Sequence, residues 1–75
     1  MTKLPQLKPK EVAKALKSLG FEHKRTTGSH ARFIHPADKR RKTTVPMYRH
    51  PLPKPTLKSI LRQAGITTEE LLENL

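Results

Sequence analysis

Residues 21–46 read FEHKRTTGSHARFIHPADKRRKTTVP, and this stretch decides the fold. Thr27-Gly28-Ser29 is a turn signal, because glycine accepts the positive φ that a tight hairpin needs. Beyond it, His30 to His35 alternates, with Ala31 and Phe33 on one face and His30, Arg32 and Ile34 on the other. Strand side chains have a period of two, so this pattern predicts a half-buried strand over 30–35. Phe21 to Thr26 predicts its neighbour before the turn. His35-Pro36-Ala37-Asp38, with the basic run Lys39-Arg40-Arg41-Lys42 after it, reads as a hairpin loop. Lys42 to Val45 is then a third short strand, ended by Pro46. Short links between consecutive strands imply an antiparallel meander.

Helical patterns flank the meander. Pro9 suits a first helical position and Glu11 the positive end of a helix. Val12, Leu16 and Leu19 recur at i, i+4, i+7 with Ala13 and Ala15 beside them, and Gly20 follows as a stop. This predicts a helix over 9–19 with Lys10, Lys14 and Lys17 on its outer face. Pro51, Pro53 and Pro55 mark a stiff connector. Thr56 is a candidate N-cap for a second helix, whose stripe is Leu57, Ile60, Leu61 and Ala64, with Gly65 as stop. Thr67-x-x-Glu70 has capping-box spacing ahead of Leu71 and Leu72, predicting a short acidic helix over 68–74. The order α-β-β-β-α with a final helical turn is that of double-stranded-RNA-binding domains. The expected fold is a small α+β domain over residues 1–75. It has a three-stranded antiparallel sheet, with both helices on one face and the other face open.

Composition narrows the function. The chain has 75 residues, 16 Lys+Arg against 6 Asp+Glu, a formal net charge of +10 and only 33% hydrophobic residues. The core is therefore small and stability marginal, so a partner or ligand is expected to add to it. Glu69, Glu70 and Glu73 lie at the acidic end, which concentrates the positive excess over residues 1–68. Such an excess favours a polyanion, nucleic acid before acidic protein. Phe21, Phe33 and Tyr48 are the only aromatics, which argues against a stacking platform of the kind that splays single-stranded bases and for recognition of backbone and shape. No apolar run approaches the roughly 20 residues of a membrane span. The opening Met-Thr-Lys-Leu-Pro lacks the apolar stretch of a secretory signal, so the expected compartment is the cytoplasm. Without Cys there is neither a disulfide nor a thiolate metal site.

Few residues can do chemistry. His23, His30, His35 and His50 do not have the spacing of a zinc motif, and the acids do not cluster as a magnesium site requires. Gly28-Ser29-His30 remains. Backbone N–H groups at a glycine turn can form an anion nest, and Ser29 can donate a hydrogen bond. If Phe33 points to the core, His30 points to the open face beside Arg32. An imidazole there can take the proton of an RNA 2′-OH or protonate a leaving oxygen, and nearby cations stabilise charge on phosphorus. The triplet has little specificity by itself, and from spacing alone a surface His after a hairpin turn is the commoner reading.

The chain as a whole resembles the HicA family of toxins, the mRNA interferases of HicBA toxin–antitoxin systems. Leu16-Lys17-Ser18-Leu19-Gly20-Phe21 is similar to the end of that family's first helix, and Gly28-Ser29-His30 to its central motif. Thr43-Thr44-Val45-Pro46 is similar to its third strand, and Thr56 to Ile66 to its second helix. The likeness runs over roughly residues 10–72. It implies a double-stranded-RNA-binding-like fold and an endoribonuclease that needs no metal or other cofactor. It also implies that His30 is the catalytic residue and that a cognate HicB-type antitoxin covers the site. The chain departs from the family pattern at Tyr48, where a His is common, and at Pro55, where a Gly is common.

The leading expectation is thus an RNA-cleaving toxin that inhibits translation. His30 is general acid or base, Gly28 and Ser29 shape the phosphate site, Arg32, Arg25 and Lys24 hold the RNA backbone, and Lys39 to Lys42 supply non-specific attraction. His23, Tyr48 and His50 are the candidates for a second proton-transfer group. The competing readings are a non-catalytic, ribosome-associated RNA-binding module and an adaptor for an acidic protein.

Overall fold

The computed structural model describes residues 4–75; residues 1–3, the first part of the stretch read for a secretory signal, lie outside it. The elements follow the order α1 (Pro9–Ser18), β1 (Glu22–Thr27), β2 (His30–His35), β3 (Asp38–Pro46), α2 (Lys54–Ala64) and α3 (Thr68–Glu73). The three strands form one antiparallel sheet in the order β1-β2-β3. This is the small α+β, double-stranded-RNA-binding-domain-like fold.

Alternation along β2 sets the two faces. Ala31 and Phe33 are buried with their β3 partners Val45 and Thr43, and α1 and α2 pack against this side. Val12, Leu16, Leu57, Ile60 and Leu61 fill the space between, as their helical spacing predicts. Leu4, Leu7, Leu52 and Leu71 also enter the core, while Leu19 is only partly buried. Leu52 N–H donates to the Leu7 carbonyl at 2.8 Å, which ties the proline-rich connector to the segment before α1. Thr43 is buried at 5% exposure, and its hydroxyl donates to Gln63 Oε1 at 2.9 Å, fastening α2 to β3 without an unpaired polar group.

Both long helices end in the same way. Gly20 N–H returns to Lys17 O and Phe21 N–H to Leu16 O; Gly65 N–H returns to Arg62 O and Ile66 N–H to Leu61 O. These are paired 5→2 and 6→1 bonds of the Schellman motif, and the buried residues Phe21 and Ile66 continue the apolar stripe past each glycine. Thr67 and Glu70 form the predicted capping box, with bonds of 2.9 and 3.1 Å.

Several boundaries differ from expectation. β1 starts at Glu22, because Phe21 closes the C-terminus of α1. α2 starts at Lys54 with Pro53 at the N-cap, not at Thr56. A first helical turn needs no backbone donors, so Pro55 fits inside it. The largest difference is β3, which begins at Asp38 and not Lys42. Pro36-Ala37 alone make the turn, and Asp38 Oδ1 accepts from Arg40 N–H at 3.1 Å to start the strand. The basic run is part of an edge strand, where charged side chains remain solvated.

Candidate RNA-facing surface

The β1–β2 connection is a two-residue turn. Gly28 has φ +60° and Ser29 is not in the positive-φ region, the sign pattern of a II′ hairpin with glycine first. Thr27 pairs with His30 across it, so the turn hands the chain directly to His30. The turn is braced from β3's side, where Met47 N–H donates to the Ser29 carbonyl. The N–H groups of Gly28 and Ser29 make no hydrogen bond among the described residues and remain available to an anion.

Cross-strand pairing builds the open face in rows. Thr27, His30 and Pro46 form one row, and Arg25, Arg32 and Thr44 the next. His30 is exposed, and its side chain makes no hydrogen bond, ion pair or ring contact among the described residues. Arg25 and Arg32 are exposed and have no carboxylate partner among them. Two guanidinium groups thus stand together in the row next to an unpartnered imidazole on one solvent-facing surface. Lys24 is placed differently. The β1–β2 register slips between His23 and Arg25, and Lys24 Nζ lies 2.9 Å from Glu22 Oε2.

The other His residues separate from His30. His23 packs on Phe33, ring centroids 5.3 Å apart, and its Nε2 is 2.8 Å from Thr26 Oγ1. That is the helix-side face, opposite His30. His35 stands edge-on to Phe21 at 5.1 Å, and its Nδ1 accepts from Ala37 N–H. His50 stacks on Tyr48 in the loop after β3. Among the described residues no three of His, Cys, Asp and Glu gather as a metal ion would require.

The basic run is divided by the pleat. Arg40 and Lys42, with Arg32, Thr43, Thr44 and Gln63, line a groove of about 410 Å³. Arg41 turns the other way: its Nε donates to Ala64 O at 3.0 Å and its guanidinium lies 5.5 Å from the centre of the Phe21 ring. Arg40 also donates through Nε to Asp38 Oδ1 at 3.3 Å, and these Arg40 bonds hold the Asp38 carboxyl below the usual carboxylate range. Thr44 and Gln63 were not singled out in the sequence, where no signal marks a groove assembled from a strand edge and a helix end.

No helix among the described residues is long and apolar enough to cross a membrane. Among curated proteins, none matches the chain. The family model described as HicA toxin of bacterial toxin–antitoxin matches residues 9–66, well over half of the chain; the protein therefore belongs to the HicA toxin family, whose members are toxins paired with an antitoxin.

Proposed function

We propose that this toxin is a metal-independent endoribonuclease that cuts mRNA in the cytoplasm and so stops translation, with His30 as its acid–base group. The observation that carries this reading is the solvent-facing, unpartnered His30 in the row beside Arg25 and Arg32. A phosphate seated at the turn meets the free N–H groups of Gly28 and Ser29 and the two guanidinium groups. His30 takes the proton of the 2′-OH as that oxygen attacks phosphorus. The P–O5′ bond breaks, the 5′-oxygen is protonated by the imidazolium or by water, and a 2′,3′-cyclic phosphate is left behind. The Arg pair stabilises the charge that builds on phosphorus. Lys24 helps hold the RNA backbone once RNA competes with Glu22 for its ammonium. Arg40 and Lys42 extend the cationic track along β3. A cognate HicB-type antitoxin blocks the reaction by covering this face with acidic groups.

The test is His30→Ala. Expression of the wild type should arrest growth and yield RNA fragments ending in cyclic phosphate, and the variant should do neither. Purified variant should still bind RNA, since Arg25, Arg32 and the other cations that hold the backbone are unchanged. A general acid–base group contributes about 10²–10⁴ in rate. Cleavage by the variant at the wild-type rate refutes the assignment. RNA binding without cleavage by the wild type leaves the non-catalytic module.

A further inference from the structure

A second basic cleft lies where the chain leaves β3, tied to the His30 turn through Met47. It has a volume of about 400 Å³ and is lined by Lys8, Pro9, Lys10, Met47, Tyr48 and Arg49. That is within the roughly 300–1,000 Å³ typical of small-ligand sites. Its floor is held at both ends. Met47 N–H bonds to Ser29 O, and Leu52 N–H bonds to Leu7 O. Residues 48–51 therefore span two fixed points, and Pro51 and Pro53 limit their backbone freedom. Tyr48 is 43% exposed, unusual for a ring in a chain with so few aromatics, and stacks on His50 with centroids 4.9 Å apart and planes at 25°. The Pro51 carbonyl can only accept, so His50 Nδ1, at 3.0 Å, carries the hydrogen and the ring orientation is locked. No acid lines the cleft, and Glu11 in the first turn of α1 accepts from Lys8 N–H at 3.0 Å.

An exposed aromatic face braced from behind, with Lys8, Lys10 and Arg49 around it, offers one flat apolar surface and several phosphate contacts. That pairing suits a nucleotide whose base is unstacked. A base inside a duplex already has both faces covered and cannot use it. We propose that the Tyr48–His50 cleft is a subsite that holds one unpaired nucleotide of the RNA next to the cleaved phosphodiester. Backbone pairing of His30 with Pro46, and of Ser29 with Met47, puts the cleft and the His30 turn on adjoining chain segments. The inference rests on the ribonuclease reading and adds to it a nucleotide subsite built on Tyr48.

The experiment uses the His30→Ala protein, so that RNA survives, and a short oligoribonucleotide either alone or annealed to its complement. Tyr48 is the one tyrosine and Trp is absent, so intrinsic fluorescence reports on this cleft alone. Single-stranded RNA should quench it. Adding Tyr48→Ala should weaken single-strand binding by about tenfold, the scale of one base–aromatic stack, while Tyr48→Phe stays within about twofold. Duplex affinity should not respond to either change. Absent quenching at saturating RNA, or an unchanged single-strand affinity in Tyr48→Ala, overturns the proposal while leaving the ribonuclease reading intact. If that variant instead loses binding to an antitoxin, the cleft is a protein-docking site and the proposal falls. No RNA binding at low salt overturns both.

Discussion

Arg41 and Lys42 are neighbours in one basic run, yet the pleat gives them opposite duties, and a paired substitution exposes the difference. Arg41→Ala removes a 3.0 Å charge-assisted bond to Ala64 O, a weak 3.4 Å contact to Gly65 O and a cation–π contact with Phe21. Hydrogen bonds to charged groups contribute about 1.5–3 kcal/mol, and exposed cation–π contacts about 0.5–1 kcal/mol. The site is only partly buried, so the sum is discounted to about 1.5–2 kcal/mol. In a domain of this size each kcal/mol shifts Tm by about 4–8 °C, so Arg41→Ala should melt about 6–16 °C below the parent. Lys42 lines the β3 groove and has no carboxylate partner among the described residues. Lys42→Ala should therefore change stability by less than about 0.5 kcal/mol. It should instead lower the salt dependence of single-stranded RNA binding, by about 0.7 in the slope of log K against log[salt] for one lost phosphate contact. The assays are thermal melting and a salt titration of RNA affinity, both in the His30→Ala background. If Arg41→Ala melts with its parent and loses salt slope instead, Arg41 faces solvent. The run would then be the uniform cationic loop that the sequence suggested.

Two further outcomes follow from local geometry. Gly28→Ala should cost about 1 kcal/mol and lower Tm by about 4–8 °C, because φ is +60° while an added Cβ meets nothing within 4 Å. Gly65→Ala should cost more in the same melting assay, since there the Cβ lies 3.3 Å from Arg41 Nε as well as at φ +69°. Asp38 has its folded pKa lowered by Arg40, so its stabilising effect is present above the ordinary carboxylate pKa and is lost as pH falls through the folded value. The Tm gap between wild type and Asp38→Asn should therefore be steady near neutrality and close in acid. A gap that widens toward low pH contradicts the Arg40 pairing.

Much of the fold was legible because its signals are local. The alternation of Ala31 and Phe33, the stripes of α1 and α2, the glycine stops and the Thr67–Glu70 box each report a backbone period or cap that neighbours in sequence decide. Leu4, Leu7 and Leu52 gave no such signal. They are isolated apolar residues in irregular segments, and their burial comes from closure of the N-terminal segment against the connector. The candidate site divided along the same line. His30 and Arg32 could be put on one face from the strand period alone, and the structure adds Arg25 opposite Arg32. Lys24 could not be placed, because the register slip at the β1 edge is a property of pairing.

The sequence alone determined that a thin-cored, highly basic chain folds as a meander between helices, and that one His follows a glycine turn. These depend on side-chain period, glycine conformation and net charge, which are written in the order of residues. Tertiary structure decided which cations remain free. It turned Arg41 inward onto α2 and Phe21, kept Arg40 and Lys42 on the groove, and set Tyr48 against His50 beside Lys8 and Lys10. Those outcomes depend on the start of β3 at Asp38 and on hydrogen bonds between segments far apart in the chain, which no local pattern encodes.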